Sequence, residues 1–348
     1  MGSKKNKEIM LIKIRYLLIS FLLLLVSCSS SKKIPFEGEL IGLTIKTTLD
    51  SEDAVKFATS KDLLYEGGHS GLDIKTIGII KKIYNQNIDI NKKYRNGFFT
   101  EKDLIKKISH KYTVLFVPGF LYESDITTGA DFKKQRDLFH KLEIKNKLIE
   151  IKENGLVAEN AKFISDYIKN NNQDDNLILV SASKGSLETA LALGRYLDEE
   201  ALKKVKAWIS IGGIHRGTYL ADHALTFPKS IIAKIISWIE GFDYSQIKDM
   251  SVAKNEPLFN SLNLPKHIYY LQFIGVPLSG QVSDEIESRY YELSKYGPND
   301  GLTTIEHELI KNSHAVIEPG LDHYYRDPQI DQKTLALLVT VLNELNYN

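Results

Sequence analysis

From Lys111 onward the sequence alternates short apolar runs with longer stretches of helical spacing, and few folds accept that alternation. The apolar runs are 112–117 (YTVLFV), 147–151 (KLIEI), 177–181 (LILVS), 206–212 (KAWISIG), 268–274 (IYYLQFI) and 314–318 (HAVIE). Each has the length of one buried strand. Helical stretches occupy about 131–142, 157–170, 185–197 and 331–345. Strand and helix in turn imply an α/β domain, with a mainly parallel central sheet and helices on both faces. Reacting groups in such folds gather at the carboxyl ends of the strands. The loops after the apolar runs are therefore where chemistry is to be sought.

Residues 36–110 read less clearly and have no assigned role. Ile41, Leu43 and Ile45 alternate with smaller or polar residues, which suggests a strand. Asp50 or Ser51 is placed to cap a helix running to about Leu64, and Thr100 to cap another through Ile108. Between them, Gly67-Gly68-His69-Ser70-Gly71 is a loop by composition. The segment supplies either early strands of the main sheet or a small accessory layer. No internal repeat is present.

The front of the chain is different in kind. Residues 1–15 are basic and 16–27 (YLLISFLLLLVS) almost wholly apolar, a run too short to span a bilayer, which takes roughly 20 residues. A basic start and a short apolar core form the pattern of a secretory signal peptide, here residues 1–27. It ends in Leu25-Val26-Ser27-Cys28, which resembles the lipobox of bacterial lipoproteins. That resemblance implies cleavage before Cys28 and acylation of its thiol and new amino terminus. Two or three acyl chains anchor a protein stably where one does not. Cys28 is the only cysteine, so no intrachain disulfide is possible. Residues 28–35, with three serines and two lysines, then form the lipidated residue and a polar tether. The localisation implied is the cell envelope, and the outer membrane if the cell is Gram-negative.

Charge excludes one class of partner. The chain carries +1 overall, from 45 basic and 44 acidic residues. Residues 1–27 hold five of the bases and one of the acids; the remaining 40 and 43 leave a net −3. With no clustered basic face, no nucleic-acid partner is expected.

The run 177–187, LILVSASKGSL, reads as strand, tight turn and helix, the setting that a nucleophile elbow needs. The turn strains its serine, so the residues two positions away on each side must be small. Gly185 meets that need, and Ser181 stands where the first glycine of G-x-S-x-G is usual. Ser183 is the candidate nucleophile, with Ser181 and Ser186 as local alternatives and an ordinary N-cap serine as the bland reading. Two further runs complete the chemistry: Gly297-Pro298-Asn299-Asp300-Gly301-Leu302, and later Gly320-Leu321-Asp322-His323. His323 would take the serine proton, and Asp300 would fix its tautomer and stabilise the imidazolium. His215, His307 and His314 compete for the role of base.

The order Ser183…Asp300…His323 is that of the α/β-hydrolases. Asn-Asp-Gly-Leu, a strand and then Leu-Asp-His resemble the carboxyl-terminal part of bacterial triacylglycerol lipases and esterases. Upstream, Gly212-Gly213-Ile214-His215-Arg216-Gly217-Thr218 resembles their Gly-x-Pro-His-Arg-Gly-Ser/Thr segment, with Ile214 replacing the proline. The resemblance covers about 111–345. It implies an α/β-hydrolase domain over 111–348, a structural rather than catalytic His215-Arg216 pair, and ester hydrolysis through an acyl-enzyme. It also implies an oxyanion hole from the backbone N–H groups of Phe120, after Pro118-Gly119, and Lys184. Those lipases often hold calcium through a second acid shortly after the histidine. Here Tyr324 and Tyr325 follow His323, so no metal is expected, and no cofactor.

Residues 219–263 interrupt the alternation. Ile231, Ile232, Ile235, Ile236, Trp238 and Ile239 fall at largely helical spacing, which the resemblance reads as a lid or cap over an apolar site. The same stripe would also suit a helix packed on the core. An ester or lipid substrate at a membrane is the expected partner. Two other readings stay open: a non-catalytic lipoprotein that binds a lipid or partner, and an acyltransferase using the same three residues.

Overall fold

The computed structural model describes residues 70–125, 128–171, 174–226, 229 and 244–347. The chain divides into two units, Met1–Gly38 and Glu39–Asn348, and every described residue lies in the second. The signal peptide, Cys28 and its tether, the strand near Ile41 and the helix ending near Leu64 lie outside the described residues. So does the apolar stripe from Ile231 to Ile239.

Among the described residues six parallel strands form one sheet: β1 (Thr113–Val117), β2 (Asn146–Leu148), β3 (Leu177–Ala182), β4 (Val205–Ile211), β5 (Tyr269–Val276) and β6 (His314–Pro319). Their order is β2-β1-β3-β4-β5-β6. These are the six apolar runs, each shifted by a residue or a few at its ends. The side chains of β1, β3 and β4 alternate between two cores, which is why those runs are largely apolar. Val114, Phe116, Ile178, Val180, Ile209 and Phe273 face one core; Leu115, Val117, Leu177, Leu179 and Trp208 face the other.

Helices cover both faces. In chain order they include α1 (Ser70–Gln86), α2 (Ile88–Gly97), α3 (Lys102–Ser109), α4 (Lys133–Lys141), α5 (Val157–Asn170), α6 (Lys184–Leu191) and α7 (Glu199–Lys204). Then come α8 (Tyr219–Leu225), α9 (Tyr244–Asp249), α10 (Val252–Asn260), α11 (Asp284–Leu293), α12 (Ile305–Glu308) and α13 (Ile330–Tyr347). Side chains of α2, α3, α4 and α13 join the first core, and those of α5, α6 and α10 the second. The described part of the insertion between β4 and β5 carries α8, α9 and α10, joined by turns and irregular backbone. Among the described residues no helix is long and apolar enough to cross a membrane.

The described part of the unclear segment, residues 70–110, is helical and belongs to the sheet's packing. Helix α1 starts within the glycine-rich run, at Ser70, and sets Ile80 and Ile83 against Ile274, Val276, Ala315 and Ile317. Helix α3 spans Lys102–Ser109, with Glu101 at its amino-terminal cap position. Among the described strands β6 is the last in the order, and an open strand edge needs partners. Two asparagines supply them. The Asn87 side chain accepts from Ala315 N at 2.9 Å, while Asn91 donates to Ala315 O at 3.0 Å and accepts from Ile317 N at 3.2 Å.

Candidate active site

Strand β3 ends at Ala182 and α6 begins at Lys184, so Ser183 makes the turn alone. Its backbone sits at φ 50°, ψ −123°. A non-glycine residue there is strained, by roughly 1–3 kcal/mol. Hydrogen bonds hold it: Ser183 N donates to Ile211 O at 3.1 Å, and Ser183 O accepts from Ser186 N at 3.0 Å and Ile214 N at 3.3 Å. Gly185 is the small residue this turn requires, because a methyl group there would run into the Pro118 carbonyl. On the other side, Ser181 does the work of the missing glycine's space by bonding inward. Its hydroxyl pairs with Ser186 Oγ at 2.8 Å and accepts from Trp208 Nε1 at 2.7 Å. Both alternative serines are thus buried and engaged with each other.

The turn brings Ser183 to His323. Ser183 Oγ lies 2.9 Å from His323 Nε2, and His323 Nδ1 lies 2.5 Å from Asp300 Oδ2. With Nδ1–H donating to the carboxylate, Nε2 is the free acceptor for the serine hydroxyl. Asp300 is fully buried, and its other oxygen accepts from Leu302 N at 2.9 Å and Thr303 N at 2.8 Å. A backbone bond from His323 N to Asp300 O, 2.9 Å, ties the two loops directly. Burial by itself lowers the pKa of His323, but the charge of Asp300, the bond to it and the nearby Asp322 outweigh that, so the imidazole sits above its ordinary value.

The two expected oxyanion donors flank the serine. Lys184 is the first residue of α6, where a backbone N–H has no intrahelical acceptor. Among the described residues the Phe120 N–H has no acceptor either. A methyl group on Gly119, the residue before Phe120, would lie 3.5 Å from Ser183 Cβ, which places the β1 loop beside the turn. The Lys184 side chain turns inward: its Nζ donates to Gly155 O and Glu188 Oε1, both at 2.5 Å, and lies 5.7 Å from the Phe120 ring.

The competing histidines are placed elsewhere. His215 is fully buried; Nδ1 donates to Glu308 O at 2.6 Å, leaving Nε2 to accept from Ser210 Oγ at 2.9 Å. Burial pushes its pKa down to about 3, with the Arg216 charge adding to this and the Glu308 bond opposing it. Arg216 holds Leu309 O at 2.6 Å and Asn260 Oδ1 at 3.1 Å, with its guanidinium 4.7 Å over Phe259. The pair therefore braces α10 and α12. His307 lies on α12 beside Tyr219, and His314 opens β6 stacked on Tyr269.

Three supports of the site were not singled out from the sequence. Asp322 accepts from Ser283 N and Ser283 Oγ, at 2.7 and 2.5 Å, and so fixes the start of the His323 loop. Lys333, fully buried on α13, reaches Glu318 at 2.8 Å and Asp327 at 2.5 Å, one on each side of that loop. Glu308 is buried against Asp300. In the sequence each of these looks like an ordinary surface charge. Among the described residues no group of three or more His, Cys, Asp or Glu is placed to hold a metal ion.

The parallel sheet, the strained serine after β3 and the order Ser183, Asp300, His323 define an α/β-hydrolase fold. No protein-family model matches the sequence, and no curated protein matches it. Solved structures do match in fold. A metagenomic carboxyl esterase is 17% identical with a TM-score of 0.53, over 68% of this chain and 76% of its own. The mature form of a lipase from Bacillus licheniformis is 19% identical with a TM-score of 0.52, over 66% of this chain and 90% of its own.

Proposed function

We propose that this chain is a serine carboxylester hydrolase of the lipase and esterase kind, working through an acyl-enzyme on Ser183. The observation that carries the reading is the continuous chain from Ser183 Oγ through His323 to a buried Asp300, with the serine held in a strained turn. A binding protein has no chemical need for all three groups in that register. That the fold neighbours are a carboxyl esterase and a lipase favours an ester as substrate.

The steps follow from the geometry. His323 Nε2 takes the hydroxyl proton as Ser183 Oγ attacks the ester carbonyl, and Asp300 stabilises the imidazolium that forms. The oxygen turned anionic receives the Phe120 and Lys184 N–H groups. His323 then gives its proton to the departing alkoxide, leaving the acyl group on Ser183. Water attacks that acyl group with His323 again as base, and the carboxylic acid leaves. The insertion at 219–263 serves as a cap over the acyl chain. A lipid on Cys28 holds the enzyme in the cell envelope, on the outer membrane if the cell is Gram-negative, where ester lipids are at hand.

Full-length protein in detergent, assayed on p-nitrophenyl butyrate and decanoate beside Ser183→Ala, tests the reading. Turnover that vanishes in the variant supports it, and the ratio of the two substrates separates esterase from lipase. Equal turnover by both folded proteins removes Ser183 from the mechanism.

A further inference from the structure

Glu308, the last residue of α12, presents a carboxyl group that the steps above do not use. Its side chain is fully buried, and neither carboxyl oxygen accepts a hydrogen bond from any donor among the described residues. Its backbone is tightly held, with the carbonyl accepting from His215 Nδ1 at 2.6 Å and Gln272 Nε2 at 2.5 Å. Within hydrogen-bond reach of that carboxyl group is the side chain of Asp300.

Two carboxyl groups in hydrogen-bond contact need one hydrogen between them. Asp300 already receives Leu302 N, Thr303 N and His323 Nδ1, the pattern of an ionised acceptor. We propose that Glu308 is a positioning residue of the triad, a neutral acid whose O–H donates to the Asp300 carboxylate and so fixes its orientation and its charge toward His323. This rests on the triad reading above. Burial, the charge of Asp300 and the bond to it all push the Glu308 carboxyl well above the usual carboxylate range, in keeping with the geometry.

Of the other titratable groups around it, all but His307 hold hydrogen bonds elsewhere, and the buried Nδ1 of His307 has no partner among the described residues. On its own helix stands His307; from the β4 loop come His215, bonded to the Glu308 carbonyl, and Arg216, bonded to Leu309 O. From the loop after β6 come His323, bonded to Asp300, and Tyr325, whose hydroxyl donates to Phe273 O at 2.9 Å. No cation among them touches the Glu308 carboxyl, so the hydrogen it shares with Asp300 is what neutralises it.

The consequence concerns how strongly Asp300 holds the imidazolium. A donated hydrogen bond draws charge from Asp300 and keeps His323 ready to release a proton. An ionised Glu308 would do the opposite, adding a second negative charge beside the histidine. The two cases predict shifts of opposite sign when Glu308 is replaced.

The test is the pH dependence of Ser183 labelling by a fluorophosphonate, in full-length wild type, Glu308→Gln and Glu308→Leu. In that reaction Ser183 Oγ displaces fluoride from phosphorus while His323 takes the proton, so the acid limb reports His323 without any ester turnover. In Glu308→Gln the amide N–H replaces the O–H, and the limb should stay at the wild-type pH. Glu308→Leu removes the donor and should move it upward, by roughly one pH unit. A downward shift in either variant overturns the inference, because Glu308 was then charged. Unchanged limbs in both variants, or an upward shift in Glu308→Gln, overturn it equally. Should the leucine variant not fold, the glutamine variant still decides between an unchanged limb and a shifted one. A wild type that does not label overturns the serine-hydrolase reading itself, and this inference with it.

Discussion

His323 Nε2 lies 2.9 Å from Ser183 Oγ across 140 residues of sequence. Nothing local holds that distance. Ser183 is set by the turn from β3 to α6, while His323 stands on the loop after β6, three strands away in the sheet order. The loop is pinned by Asp322 to Ser283, by the backbone bond to Asp300 and by Lys333 at both ends. The contact thus depends on groups spread over much of the domain, and its parts can be tested separately.

Asp300→Asn keeps the shape but not the charge, and favours the wrong histidine tautomer. The expected result is a fall in kcat of roughly 10³- to 10⁴-fold at neutral pH with KM little changed. Steady-state kinetics on p-nitrophenyl butyrate measures it; a loss below tenfold would exclude Asp300 as the orienting acid.

Raising the His323 pKa makes the base less available at low pH. With His323 as the proposed base, neutral imidazole is the active form, so kcat/KM should fall as pH drops, with a midpoint above the ordinary histidine value of about 6.5. A kcat/KM profile between pH 5 and 9 gives the midpoint directly. A midpoint below 6 would mean that burial outweighs Asp300.

His215 acts on stability instead. Its pKa is about 3 in the folded chain and about 6.5 when unfolded, so the unfolded state binds the extra proton between those values. The stabilisation is complete above pH 6.5 and is lost as pH falls toward 3, by on the order of several kcal/mol. His215→Gln should therefore be less stable at pH 8 yet lose less on acidification to pH 4.5. Thermal melts at the two pH values compare the slopes; parallel losses in both proteins would contradict the buried neutral imidazole.

Lys333→Met leaves Glu318 and Asp327 without their cation in the interior. Breaking a buried pair in this way costs about 3–5 kcal/mol, or a fall in Tm on the order of 10 °C. The double variant with Glu318→Gln should recover part of that loss. Melting curves of the three proteins test it, and an unchanged Tm in Lys333→Met would mean that water reaches the site.

Much of the strand framework was legible because burial on both faces leaves a mark that polar loops do not blur. Val114 to Val117 and Leu177 to Val180 read as buried strands before any partner was known, and they pair with each other in the sheet. Helices α1 and α2 were not legible. Gly71 and Gly78 dilute the apolar spacing of α1, and in α2 the apolar Ile90 and Tyr94 are outnumbered by polar side chains. What orders them is contact with β6, more than 200 residues later, through Asn87 and Asn91.

The candidate site divides in the same way. The sequence by itself determined the local parts: an apolar strand, a turn with Gly185 behind Ser183, and Asp300 and His323 in the order this fold uses. The first two follow from short-range sterics and from the alternation of strand and helix, written in neighbouring residues, while Asp300 and His323 follow from the resemblance of their motifs to those of lipases and esterases. The tertiary structure alone decided what His215 and Arg216 brace, and that Glu308 and Lys333 are buried rather than solvated. A charged side chain carries no mark of its burial; its partner does, and here the partners come from distant segments that only the closed sheet brings together.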